Sequence, residues 1–263
     1  MMKKTHPRGF TLIEVIAALA IMIAIVAIAV PMTIKFMEVQ ETRAARTEMS
    51  RIFNDILYGD PKNGTFGFVG DIGHYPKDLK DLIENHSGYH NYYTCTGGVE
   101  YGWHGPYSPD GENLLKDPWG EPYGYSTDTT YAEYAKITSE GPNKRDDNGS
   151  GDDLVYPIGG AEIPCYGSVL VEVQDNRSIS TPWPGLHRKT KIKIKIYYSV
   201  DGSETTFTTQ KITCNGSCSY NFDNVHHGLH LIQILDENGN NVLASTIATV
   251  IHGQQTKVTL TLR

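Results

Sequence analysis

At 263 residues the chain is long enough for a membrane segment and about two small domains, and 39% apolar with 20% charged residues excludes wholesale disorder. The net charge of −7 is uneven: Lys3, Lys4 and Arg8 make the first nine residues basic, and residues 161–263 nearly balance at nine bases against eight acids, so the acidity lies in 10–160. An acidic body speaks against nucleic acid as a partner and suits solubility or a cation site.

The first predicted element is a membrane helix. Phe10 to Val30 reads FTLIEVIAALAIMIAIVAIAV, about the 20 residues that a spanning helix needs. The basic residues before it keep the N-terminus in the cytoplasm and export the remainder of the chain. A secretory signal peptide has a shorter apolar run and a small-residue cleavage site after it. A plain anchor does not explain Glu14, the one formal charge in the run, because an unpaired carboxylate in lipid costs at least a few kcal/mol.

Arg8-Gly9-Phe10-Thr11-Leu12-Ile13-Glu14 resembles the class III leader of type IV pilins and type II secretion pseudopilins. The resemblance implies that a prepilin peptidase cuts between Gly9 and Phe10 and N-methylates Phe10, making Glu14 the fifth mature residue. It also implies partners: copies of the chain, other pilin-like subunits and an inner-membrane assembly platform. The head would stand in the periplasm of a bacterial inner-membrane protein, or on a filament or cell surface after assembly. In a filament, Glu14 would neutralise the amine of a neighbour's Phe10, removing two costly charges from an apolar setting and favouring one register.

Past Pro31, where many pilins are kinked, Ile34, Met37, Met49, Ile52, Phe53 and Ile56 fall largely at helical spacing. This predicts one long helix over 10–58, ended by Gly59, Asp60, Pro61 and Gly64 and packed under a head by its second half. Residues 59–160 are rich in Gly, Pro and Tyr and predict loops around short elements. Among these are a helix over Pro76–Ile83 and a strand with Tyr131, Tyr134 and Ile137. The run Asp117-Pro118-Trp119-Gly120-Glu121-Pro122-Tyr123 resembles a turn in the head of the major (G-type) pseudopilin; Trp103 and Trp119 are expected as core anchors.

The segment Ser139 to Leu154 is a glycine-rich acidic loop. An EF-hand register fails because its closing Glu would fall on Pro157. The pseudopilin resemblance instead implies a calcium loop with Ser139, Asn143, Asp146, Asp152 and Asp153 as ligands. The chain departs from the family at Asn143, where the pattern has Asp; Asp146 and Asp147 would compensate for the lost charge, and the alternative is a solvated acidic turn.

Residues 161–263 alternate as strands do, most clearly Lys191-Ile192-Lys193-Ile194-Lys195-Ile196, and Asp236 to Asn240 reads as a hairpin turn. This predicts a β-sandwich of about seven strands. Its Phe222–Val225, Gly228–Leu231 and turn segments resemble transthyretin-like, carboxypeptidase-regulatory-like modules, which are usually non-catalytic. His226, His227 and His230 are expected at exposed strand or turn positions. Four cysteines in an exported chain suit two disulfides, with buried thiols or, less readily, zinc as alternatives. The turn Asn215-Gly216-Ser217 places Cys214 near Cys218, leaving Cys95 for Cys165.

The expected fold class is α+β: a leader over 1–9, a membrane and assembly helix over 10–58, a pilin-type head over 59–160 and an all-β sandwich over 161–263. The expected function is a pilin-like structural subunit of a secretion pseudopilus; the alternative is a minor or adhesive pilin whose C-terminal domain binds a surface or substrate. No nucleophile–base pair, phosphate loop or convincing catalytic metal set points to an enzyme.

Overall fold

The computed structural model describes residues 11–127, 134–160, 163–177 and 189–263. The chain divides into two units, Met1–Ala44 and Ala45–Arg263.

Helix α1 spans Leu12–Arg51. Thr11 to Gln40 are all exposed, so an apolar surface lacks any covering from its own unit. Pro31 lies inside the helix, which continues through it. The proline removes one backbone donor, and two residues on the Thr33 hydroxyl donates to the Ala29 carbonyl at 2.9 Å. Ile34 and Met37, expected on the packed stripe, are exposed. Burial begins only at Ala45 and continues through Met49 and, in a π-helical turn over Ile52–Leu57, Ile52, Phe53, Ile56 and Leu57.

Those residues are the apolar floor of the body's first core. On it lies helix α2 (Gly67–Ile72); a two-stranded sheet, β1 (Tyr93–Thr94) with β2 (Glu100–Tyr101), packs instead through Tyr101 on a separate cluster with Tyr197 and Leu231, and a three-stranded sheet of β3 (Gly124–Thr127), β4 (Ala135–Ser139) and β5 (Leu154–Tyr156) covers the first core. The predicted 76–83 helix is only a 3₁₀ turn over Leu79–Leu82. The buried Asp81 explains the difference: its carboxylate caps the turn at the Asp78 N–H and also accepts from the Ser87 N–H and hydroxyl, drawing the chain away. Of the strand predicted through Tyr131, that residue lies outside the described residues.

Among the described residues eight more strands follow: β6 (Tyr166–Asp175), β7 (Lys189–Val200), β8 (Ser203–Thr208), β9 (Ile212–Asn215), β10 (Ser217–His226), β11 (Gly228–Asp236), β12 (Val242–Val250) and β13 (Gln255–Leu262). Their hydrogen-bonded order is β12-β11-β7-β9-β10-β6-β13, with β8 on β7. All pairs are antiparallel except β13 on β6. The path is nearly severed at one place, since β9 and β10 share only the pair Asn215–Ser217. There the sheet folds over, and Val169, Ile194, Phe222, Ile234 and Leu260 from its two halves share one core. The period-2 rule accounts for the faces: Ile192, Ile194 and Ile196 are buried while Lys191, Lys193 and Lys195 are not.

The predicted histidine exposure is corrected. His227 and His230 are buried, at 1% exposure each, and His226 is half-buried. For His227 the cause is the β10–β11 turn at Gly228, which lies against α2 so closely that a Cβ at Gly228 (φ +134°) would meet the Gly70 Cα at 3.2 Å. Behind that contact, His227 Nε2 meets the Tyr58 carbonyl at 2.9 Å, and its backbone N–H donates to the Cys165 carbonyl.

Candidate functional site: the N-terminal helix and the acidic loop

Gly9 and Phe10 lie outside the described residues. The site becomes visible at Thr11, where the Thr11 N–H and hydroxyl both donate to Glu14 Oε2 at 2.9 Å and the Glu14 N–H reaches the Thr11 hydroxyl at 3.4 Å. This is a capping box, with Thr11 before the first helical residue and Glu14 three positions on. It ties Glu14 back toward the start of the helix, one residue from Phe10 in sequence, and its negative charge complements the helix dipole there. The sequence reading found Glu14 by its charge and missed Thr11, although T-x-x-E ahead of an apolar run is a recognisable signal. The apolar stretch behind it makes this helix long and apolar enough to cross a membrane, and it is none the less exposed.

The expected calcium ligands are not brought together as one set. The buried Ser139 hydroxyl donates to Asp117 Oδ2 at 2.6 Å, where it finishes the Asp117–Glu121 turn whose Trp119 and Glu121 N–H groups bind Oδ1. Asp146 accepts from the Asn148 N–H. Asp153 accepts from the N–H groups of Asp147 and Gly149 through Oδ2. Only Asn143 and Asp152 meet, joined by Asp147: the Asn143 amide nitrogen donates to Asp147 Oδ2 at 3.1 Å and to Asp152 Oδ1. The Asn143 amide oxygen takes the Arg145 N–H at 2.7 Å, which orients the amide with its donors toward the acids. The Asn143 amide thus bridges two carboxylates, and a calcium ion, which needs six to eight oxygens, would require that amide to turn its oxygen inward. Among the described residues no three His, Cys, Asp or Glu side chains converge as metal ligands.

The structure joins Cys214 to Cys218 by a disulfide, Cα–Cα 4.8 Å. It does not join Cys95 to Cys165. Cys95 packs on a small cluster of Val99, Tyr101, Tyr197 and Leu231 and its thiol faces the Tyr93 carbonyl, whereas Cys165 is buried in the first core.

No curated protein matches the chain significantly. Four solved chains are similar, among them a leucine-rich repeat protein from Bacteroides thetaiotaomicron, 18% identical over 38% of this chain and 12% of that one, with a TM-score of 0.20. Residues 4–30 match the prokaryotic N-terminal methylation motif. That motif is the prepilin peptidase cleavage signal of pilin-like subunits that assemble into filaments, and this chain carries it on an exposed apolar helix suited to anchoring in a membrane.

Proposed function

We propose that the chain is a structural subunit of a short filament that serves protein secretion across the cell envelope, processed between Gly9 and Phe10 and methylated at Phe10. The observation that carries this reading is the methylation motif over 4–30 joined to a helix whose residues 12–40 are all exposed. An apolar surface of that size needs lipid before assembly and neighbouring helices after it. The Glu14 carboxylate, held at the helix start, would meet the amine of a neighbour's Phe10 as both leave the membrane.

Mass spectrometry of the mature N-terminus tests the processing step. A chain beginning with methylated Phe10 is expected; an intact Met1, or a start beyond residue 30, overturns it. The eight-stranded region over 166–263 favours a second reading, a minor or adhesive pilin. Abundance in sheared filaments separates the two, since a core subunit greatly outnumbers the other pilin-like proteins.

A further inference from the structure

A second candidate site lies wholly within the body and does not depend on the filament reading. It is a cleft of about 420 Å³ on the eight-stranded region, a size within the ordinary range for small-molecule sites. It forms because the fold opens there. β8 pairs with β7, and β10 pairs with β6, but β8 and β10 do not pair with each other. From the hinge at Asn215–Ser217, held by the Cys214–Cys218 disulfide, β10 departs toward the second half of the sheet and leaves a wedge beside β8.

Aromatic rings wall the wedge. Phe207 on β8, 47% exposed, stands edge-on to the buried Phe222 on β10 with ring centroids 6.0 Å apart, and Tyr220 stacks edgewise on Phe222 at 4.8 Å. Tyr198 adds a fourth ring. A polar edge accompanies them. The β10 register shifts between Phe222 and Val225, so that Asp223 and Asn224 form a bulge with Asn224 at φ 55°. Such bulges redirect side chains and commonly border functional sites. Asn221 donates to Asp223 and accepts from Gln255 Nε2, which turns both side chains to the outer face of the sheet, opposite Tyr220 and Phe222, and leaves Asn224 and the bulge backbone at the cleft. His226 also lines the cleft, and its Nδ1 is buried without a hydrogen-bond partner.

The lining selects a chemistry. Among the described residues it contains no Lys or Arg, which disfavours phosphates and other anions. The bulge disfavours an added peptide strand, because the β10 edge lacks the regular ladder that strand addition extends. Aromatic faces take up apolar C–H surface, while the Asn224 amide both donates and accepts and the unpartnered His226 Nδ1 offers one more polar group, as hydroxyls require. We infer that the cleft between β8 and β10 binds a neutral saccharide, with a pyranose ring against Phe207 and Tyr220 and its hydroxyls on Asn224, His226 Nδ1 and the backbone of the bulge.

Saturation-transfer NMR and calorimetric titration of the detergent-solubilised full chain test this. The probes are cellotetraose, maltotetraose and N-acetylchitotetraose, with a tetrameric uronic acid and an extended uncharged peptide for contrast. Saturable binding of at least one neutral oligosaccharide is expected. Phe207→Ala and Tyr220→Ala should each weaken it at least tenfold, and Ile247→Ala, on the exposed face of β12, should leave it unchanged. Thermal melts of each variant separate lost binding from lost folding, and Asn224→Gly, at an exposed position whose positive φ glycine keeps, gives a further variant that should weaken binding without touching the core. The inference is overturned by an absence of saturable binding to all three neutral probes, by binding that both folded ring variants retain, or by preference for the uronate or the peptide.

Discussion

Glu14 has two physical roles available, and they predict different mutant behaviour. As part of the capping box it satisfies the Thr11 N–H within its own subunit; as an assembly group it lends its charge to a neighbour. Gln at the third helical position also serves a capping box, so Glu14→Gln keeps the first role and removes the second. Filament yield from Glu14→Gln should collapse while membrane insertion persists, and Thr11→Ala, which loses a cap of about 1 kcal/mol, should assemble. Normal assembly of Glu14→Gln, read from sheared filaments, would assign Glu14 to capping alone. Glu14 was legible in the sequence because it is the lone charge of an apolar run. Ser139 was not, because its partner Asp117 is 22 residues away and only the folded Asp117–Glu121 turn brings the two together. Asn143 belongs to the same scale. Its amide links Asp147 and Asp152, and Asn143→Asp would set three carboxylates together. In chelator that variant should melt about 2–4 °C lower, corresponding to about 1 kcal/mol, and millimolar calcium should raise its melting temperature more than that of the wild type. A wild-type chain that gains as much from calcium as the variant would mean that the amide yields to the ion.

Among the elements, strands were legible wherever period-2 alternation was strict, as over Lys191–Ile196, and turns wherever a side chain caps them. The Asp236–Asn241 turn shows the second point: Asp236 accepts from the Gly239 and Asn240 N–H groups at 2.7 and 2.9 Å. The packed part of α1 was only half legible. Helical spacing continues through Ile34 and Met37, and periodicity alone does not say which turns of an amphipathic helix receive a partner. The burial of His227 and His230 was not legible at all, because His227 is covered through the close approach of Gly228 to Gly70, far apart in sequence, and His230 sits between the Tyr197 and His226 carbonyls. That approach is itself testable. Gly228→Ala forces a side chain into a left-handed backbone and against α2, and should destabilise the body by about 1–3 kcal/mol in denaturant unfolding. A loss below about 0.5 kcal/mol would show that α2 and the hairpin can separate without cost.

For the molecule as a whole, these buried groups set the response to acid. Burial pushes the pKa of His226 and of His227 down to about 4, and lowers those of His230 and His252. In the unfolded chain such histidines titrate near 6.5. Below that pH the unfolded state therefore binds protons that the folded state refuses, and stability falls as the pH drops toward 4, by up to about 3 kcal/mol for each of His226 and His227. Asp71 acts in the opposite sense. Burial raises its pKa to about 7, opposed by the hydrogen bond it accepts from the Tyr107 hydroxyl at 2.8 Å, so the folded state binds a proton there that the unfolded state lacks between about pH 4 and 7. One carboxyl is set against several histidines, and the net expectation is a melting temperature that declines between pH 7 and pH 5. Asp71→Asn isolates the opposing part. The amide can still accept from Tyr107 but carries no charge to bury, so the variant should be the more stable protein at pH 8 and should lose stability more steeply on acidification. Thermal unfolding of the detergent-solubilised full chain at half-unit pH steps, with wild type and Asp71→Asn side by side, measures both slopes. A wild-type curve that is flat or rises between pH 7 and pH 5 would show that the histidines protonate without unfolding the body. Parallel curves for the two proteins would show that Asp71 is ionised in the folded state throughout that range.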